Sequence, residues 1–336
     1  MYLSLKERPR GPAPGGVKVT FMLRRRKLLF AVNAHAGKAA IRTPFLGILD
    51  TFVRSGYEPT VYLSQRSGEL PEIVREEAGS YDLVVCSGGD GTLNEVVNGL
   101  MQLESRPALG YIPAGTTNDF ATSLCIPKKM DKAAIAAVSG VPVWVDVGRF
   151  GQEYFAYVAA FGAFTDVAYT TPQDMKNSLG RLAYVLACAQ RLTSLPSYHI
   201  RLEHDEGAVE DEILIGMVSN SSFVAGFPVG KLLDVSMSDG LMEVTLVRKP
   251  PLLLDLTRAI NGLLVGELDP ELIYTVKTQK LRVLSQEPMP WTLDGEYGGT
   301  RSEVNIENLT RALEINVPGE YLMPKKNARR KTDAQD

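Results

Sequence analysis

Apolar and polar positions follow two different rhythms along the chain. From Lys27 the apolar residues come as short solid runs separated by one-sided helical patterns. Leu28-Leu29-Phe30-Ala31-Val32 is such a run, suited to a strand buried on both faces. Phe45, Ile48, Leu49, Phe52 and Val53 recur at i, i+3, i+4, i+7 and i+8, one side of a helix. Pro59–Leu63 predicts a second strand, residues 70–78 a short helix with Pro71 near its start, and Tyr81–Cys86 a third strand. Leu93, Val96, Val97, Leu100 and Met101 mark another helical face, and Ala108–Ile112 a fourth strand. This order predicts a parallel sheet with helices on both sides.

After about residue 142 the rhythm changes. Val143–Val147, Tyr154–Phe161, Tyr198–Glu203, Ile213–Ser219, Leu241–Val247, Leu281–Leu284 and Val304–Ile306 read as strands between Gly, Asp and Pro turns. Two helices interrupt them, near 179–194 and 251–265. The expected fold class is an α/β N-terminal domain followed by an antiparallel β-sandwich domain. The expected layout begins with a disordered extension over 1–21, with Met22 standing as a second start. The α/β domain covers 22–142 and the sandwich 143–310. A C-terminal segment, 311–324, can return to the first domain, and 325–336 forms a disordered basic tail.

Composition sets bounds on this picture. The 336 residues are 45% apolar and 22% charged, which excludes disorder over most of the length, collagen and a coiled coil. Cys86, Cys125 and Cys188 form no C-x-x-C pair and read as buried small hydrophobes in a reducing compartment. No apolar run reaches the roughly 18 residues of a membrane helix. The stretch after Arg24–Lys27 is too short for a signal peptide, so a cytoplasmic protein is expected. The net charge of −3 is uneven: residues 1–27 carry eight basic groups and one acidic, and 325–336 five basic and two acidic, leaving −13 on the body. An acidic body argues against nucleic acid as a partner. The basic ends read equally as solvated tails and as contacts for anionic lipid.

The residues that carry chemistry gather at strand ends. Gly88-Gly89-Asp90-Gly91-Thr92-Leu93-Asn94-Glu95 follows the third strand and opens a helix, the place where open α/β sheets bind ligands. Glycines there let backbone N–H groups reach phosphate oxygens, and the helix N-terminus favours negative charge. Asp90 repels a phosphate unless a cation lies between them, which implicates Mg²⁺. Alone, the loop reads equally as a tight connection capped by Asp90. Two more polar loops shift that balance: Pro113-Ala114-Gly115-Thr116-Thr117-Asn118-Asp119 after the fourth strand, and Asn33-Ala34-His35-Ala36-Gly37-Lys38 after the first. Lys38 is followed by Ala39, so this is no Walker A loop, and the G-x-G-x-x-G spacing is absent.

Through these loops the chain resembles the diacylglycerol kinase catalytic-domain family of lipid kinases. The glycine-aspartate loop is shared with NAD kinases and phosphofructokinases, whereas Asn94–Gly99 and Pro113–Asp119 point to the lipid kinases. Phe164–Tyr169 with Pro172, Gly180–Tyr184 and Leu293–Gly299 are similar to the soluble bacterial members. The resemblance covers about residues 27–320. It implies an NAD-kinase-like nucleotide-binding domain, a β-sandwich lipid-substrate domain and an active site between them. The implied reaction moves the γ-phosphoryl of ATP to diacylglycerol, giving phosphatidic acid. The implied catalytic base is Glu296, and Asp90 holds the catalytic Mg²⁺. ATP contacts fall on Asn33, Ala34, His35, Ala36, Gly37, Ser64, Gly88, Gly89, Asp90, Gly91, Thr92, Leu93, Asn94, Glu95 and Thr116. A structural Mg²⁺ falls on the Asp239 carboxylate and the carbonyls of Ser236 and Leu241, with Asp119 and Asp146 joined through water. Diacylglycerol lies in a bilayer, so peripheral docking on the inner face of the cell membrane is expected, and relatives of this type can be homodimers.

The residues themselves support part of this. Glu296 sits in a Gly-flanked turn of the second half, where a carboxylate can take a proton from an alcohol. In isolation, that turn and Asp239-Gly240 both read as hairpin tips. Departures from the family pattern are Ala34 in place of a proline, Tyr157 in place of an asparagine, and Ser238 in place of an acidic residue. Three rivals stay open: a kinase for another lipid alcohol such as a sphingoid base or polyprenol, an NAD kinase, and a non-catalytic nucleotide- or lipid-binding regulator.

Overall fold

A computed structural model describes residues 25–34, 36, 41–163, 196–224, 235–250, 252–265 and 267–322. In the first half β1 (Arg26–Val32), β2 (Tyr57–Leu63), β3 (Leu83–Gly88) and β4 (Ala108–Pro113) pair in parallel, in the order β4-β3-β1-β2. All of β3 and the last five residues of β1 are buried, which is why they are unbroken apolar runs. The helices are α1 (Phe45–Arg54), α2 (Leu70–Glu77), α3 (Asp90–Leu100), α4 (Asp119–Ser123) and α5 (Met130–Ser139). Ile48 and Phe52 of α1 are buried, but Val53 is exposed, so the contacting stripe is narrower than the spacing predicts. The pattern gave no signal for α5. It buries four alanines, Ala133, Ala134, Ala136 and Ala137, with Val138 the one larger side chain, and a methyl on Gly110 of β4 would meet the Ala137 side chain at 2.6 Å. Small residues on both elements let helix and sheet approach closely.

The second half contains β5 (Val141–Phe150), β6 (Glu153–Phe155), β7 (Val158–Gly162), β8 (Tyr198–His204), β9 (Gly207–Ser219), β10 (Met242–Arg248), β11 (Ile273–Thr278), β12 (Lys280–Leu293) and β13 (Glu296–Val317). A sixth helix, α6 (Leu253–Val265), follows β10. β7 and β8 lie end to end in one strand position, each paired with β9 on one side and β12 on the other. The sheet curls around an apolar core in which Trp291 contacts Phe150 and Phe161 at ring-centroid distances of 5.0 and 4.7 Å.

β13 joins the two halves. It pairs antiparallel with β12 and β5, and at Ile315 it pairs in parallel with Leu109 of β4. One hydrogen-bonded sheet therefore runs through the whole molecule. The expected boundary at 142/143 falls inside β5. The expected strand Tyr154–Phe161 breaks at Ala156-Tyr157, because these backbone N–H groups turn to the Asp294 carboxylate. Val304–Ile306 is the apolar midpoint of a 22-residue strand whose outer face is polar. Cys86 is buried as expected, but Cys125 is exposed. Cys188, the helix expected near 179–194 and the Phe164–Tyr184 similarities lie outside the described residues.

Trp291→Ala is expected to cost about 3–5 kcal/mol of stability, whereas Ile135→Ala, at an exposed position of α5, changes stability by less than about 0.5 kcal/mol. Urea titration of both variants measures the difference.

Candidate functional site

Strand order places the polar loops together. β2 and β3 flank β1, so the chain leaves the sheet in opposite directions on either side of it, and a crevice opens beyond the strand ends. Asn33 follows β1 and spans the crevice: its N–H donates to the Ser87 carbonyl (2.9 Å) and its Nδ2 to Thr92 Oγ1 (3.2 Å). The turn closes without the family's proline, since the Ala36 N–H donates to the Asn33 carbonyl at 3.3 Å. His35 and Gly37 lie outside the described residues. Ser64, buried after β2, donates its N–H to the Val32 carbonyl and ties two strand ends together.

The loops after β3 and β4 meet backbone to backbone. A methyl on Gly115 would stand 2.6 Å from the Gly89 Cα, so close approach explains the glycine at 115. Asn118 shapes the second loop from a left-handed conformation (φ +52°): its Oδ1 accepts from the Gly115 N–H (3.0 Å) and its Nδ2 donates to the Gly115 carbonyl (2.7 Å). Thr116 is exposed on this loop. No side chain caps α3, which leaves its first-turn N–H groups open to an anion. Leu93 is different: its side chain is core and its N–H bonds the Gly89 carbonyl, so it offers a ligand nothing.

Asp90 begins α3. One oxygen accepts a long bond from the Asp119 N–H (3.4 Å), and the other, Oδ1, is buried without a partner. Burial, then the charges of Asp119 and Asp294, pushes this carboxyl up to about 7. A buried, unpaired carboxylate oxygen beside a second acid and an open helix N-terminus fits a divalent cation shared with phosphate.

Glu296 opens β13 after a tight turn in which Asp294 and Gly295 both have positive φ (+51° and +88°). Its carboxylate lies directly over Gly91 in the first turn of α3, where a methyl would overlap Oε1. Partial burial, and then the charge of Glu95, raises its pKa. Glu95, one turn beyond Gly91, accepts from Gly68 N–H (2.8 Å) and Ser67 Oγ (3.2 Å) and so anchors the loop after β2. Asn94 faces the second half, with its Nδ2 on Asp294 Oδ2 (2.8 Å) and the Tyr154 carbonyl (3.0 Å). Tyr157 is buried, and the charges of Asp90, Asp294 and Asp119 add to burial in raising its phenol. Asp294 lies in the Leu293–Gly299 segment, where the Asp-Gly pair has a local explanation as turn chemistry and carries no signal of these contacts.

The residues expected around a structural Mg²⁺ are placed differently. Asp119 lies with Asp90, while Asp146 lies at the Asp239 turn. Both Asp146 oxygens are taken, by the N–H groups of Gly240 and Arg311 (2.7 Å each), and Asn308 Nδ2 takes the Leu241 carbonyl (2.9 Å). Asp239 is exposed and accepts from the Leu241 N–H (3.1 Å), and Ser236 Oγ accepts from the Ser238 N–H (3.4 Å). Among the described residues no three acidic, histidine or cysteine side chains form a metal-binding group. Within the set expected around a structural Mg²⁺, protein N–H donors thus already bond Asp146 and the Leu241 carbonyl.

Known proteins share this sequence and fold. The family model of the diacylglycerol kinase catalytic domain matches residues 27–150. A diacylglycerol kinase of Bacillus subtilis (strain 168) is 35% identical over 303 residues, covering 89% of this chain and 98% of its own. One from Staphylococcus carnosus (strain TM300) is 33% identical over 301 residues, covering 88% and 96%. A crystal structure of a diacylglycerol kinase from Bacillus anthracis str. Sterne superposes with a TM-score of 0.74 at 25% identity, covering 88% of this chain and 98% of that one.

Because the Asp90 pKa is higher folded (about 7) than its ordinary 3.8, the native state holds this proton more tightly than the unfolded chain. The stability from this group is full below about pH 4 and is lost as pH rises through about 7. Asp90→Asn cannot ionise. It is expected to exceed the parent in stability at pH 8 by about 1–4 kcal/mol, with the advantage gone at pH 4, as measured by urea unfolding at both pH values.

Proposed function

The chain belongs to the diacylglycerol kinase family, and from that membership we propose how its own residues perform the transfer. It is a lipid kinase that phosphorylates diacylglycerol, with ATP as the phosphoryl donor. The observation that carries the mechanistic reading is the Glu296 carboxylate lying over Gly91, at the first turn of the helix that Asp90 begins.

In this reading the open N–H groups at the start of α3 and the Gly89–Gly115 contact form the phosphate seat. Asp90, whose Oδ1 is buried without a partner, would hold Mg²⁺, which would supply charge neutralisation for the phosphates. Glu296 accepts the proton of the acceptor hydroxyl. The alcohol oxygen then forms its bond to the γ-phosphorus as the bond to the β–γ bridging oxygen breaks, and ADP leaves with that electron pair. A raised pKa suits Glu296, since a base poised nearer neutrality accepts the proton more readily. Activity therefore falls on acidification, as Glu296 protonates above the ordinary carboxylate range.

The acceptor is a bilayer lipid, so the protein meets it at a membrane surface. No described helix is long and apolar enough to cross a membrane, and Leu46, Leu252 and Leu254 are exposed. Both observations support peripheral docking.

Glu296→Gln is expected to lower kcat by roughly 10²–10⁴ while nucleotide affinity stays near that of the parent; full turnover removes the base assignment. Gly91→Ala places a methyl where the Glu296 carboxylate lies. It should hold or raise the melting temperature, because alanine favours a helix by up to about 1 kcal/mol, and still lose at least tenfold in kcat. For docking, vesicles containing phosphatidylglycerol should sediment the protein and raise its activity over neutral vesicles; equal behaviour with both removes the electrostatic part.

A further inference from the structure

Two residues before Glu296 stands a carboxylate that the mechanism leaves unused. Asp294 is 2% exposed. One of its oxygens accepts the N–H groups of Tyr157 (2.9 Å) and Val158 (3.0 Å). The other accepts the Ala156 N–H (2.6 Å) and the Asn94 amide of α3 (2.8 Å). Its own N–H donates back to the Val158 carbonyl at 2.8 Å. Burial raises its pKa, and these bonds oppose the rise.

The turn does not need this charge. A two-residue turn with positive φ at both positions is served equally by Asn-Gly or Gly-Gly. Four N–H donors converge on two oxygens, which only an ionised carboxylate satisfies, because an asparagine amide would set its own N–H groups against some of them. What the charge holds therefore explains it. Three donors lie at the break between β6 and β7, and the fourth lies on α3, four residues after Asp90. Asn98, one turn further along α3, continues the seam through both backbone groups of Tyr154 (2.9 Å each). Of these contacts, the one at Asp294 reaches the hairpin that carries Glu296. Glu296 itself sits at the solvent-reached tip of that hairpin.

We propose that Asp294 is a positioning residue: by binding Asn94 it fixes the hairpin so that Glu296 stands over the first turn of α3. The proposal rests on the assignment of Glu296 as the base. A misplacement of about 1 Å can cost roughly a hundredfold in rate, so a tie two residues from the base has leverage beyond its bond strength.

The test uses the full chain with ATP and diacylglycerol in mixed micelles. In Asp294→Asn, kcat should fall about thirtyfold or more while KM for ATP stays within about threefold, and the acid limb of the kcat–pH profile should move. Asn94→Ala removes the helix side of the tie, together with the Asn94 bonds to the Tyr154 carbonyl and Asn98, and should cost about tenfold in kcat; it decides the matter if Asp294→Asn does not fold. Asn98→Ala removes the bonds to Tyr154 and to Asn94 Oδ1 but leaves the Asn94–Asp294 bond, and should lose comparable melting temperature and keep kcat. Turnover of Asp294→Asn or Asn94→Ala within threefold of the parent overturns the proposal. So does an Asn98→Ala that loses as much kcat as Asn94→Ala, which marks the seam as structural only. Glu296→Gln in the same assay separates the two readings. If it turns over, the base assignment fails; if it is inactive beside an active Asp294→Asn, the positioning role alone fails.

Discussion

A single strand obliges the two halves of this protein to keep a fixed relation. β13 starts at Glu296, runs beside β12 and β5, and ends in the parallel sheet beside β4. Backbone hydrogen bonds set its register, and slipping by one residue would turn every side chain to the opposite face. The Glu296 carboxylate and the closing edge of the parallel sheet therefore belong to one pleated ribbon. Arg106 reinforces the junction, with its guanidinium bonded to the Leu100 and Ala312 carbonyls.

Acidic groups crowd the cleft, and each is held by a different means. Asp294 is surrounded by N–H donors, and Glu95 is bonded to the loop after β2. Glu296 remains in contact with solvent. Asp90 alone combines burial, acidic neighbours and an unpartnered oxygen. Burial and the charges of Asp119 and Asp294 disfavour its ionised form, a cost that a cation held there in the proposed reading would offset.

The first half was legible because its strands are buried on both faces and so appear as unbroken apolar runs. Its ligand loops were legible because a phosphate seat needs glycines, and glycines at strand ends stand out. The second half was read less completely. β13 exposes alternate residues, so only its midpoint looked apolar, and α5 is built on alanines. Asp294 could not be read at all. Its donors lie 136–138 and 200 residues away, and an Asp-Gly pair already has a local explanation. Sequence spacing likewise does not disclose which acceptors of the expected structural-metal set the protein's own N–H groups already bond.

The paired segments β7 and β8 occupy a single lane of the sheet. Each end of the interruption is pinned: the Ala163 N–H to the Leu214 carbonyl, and the Ser197 hydroxyl to Glu212. β9 and β12 pair with both segments, on either side of the interruption. Such a junction works as an architectural socket. The scaffold on either side of it stays in one register.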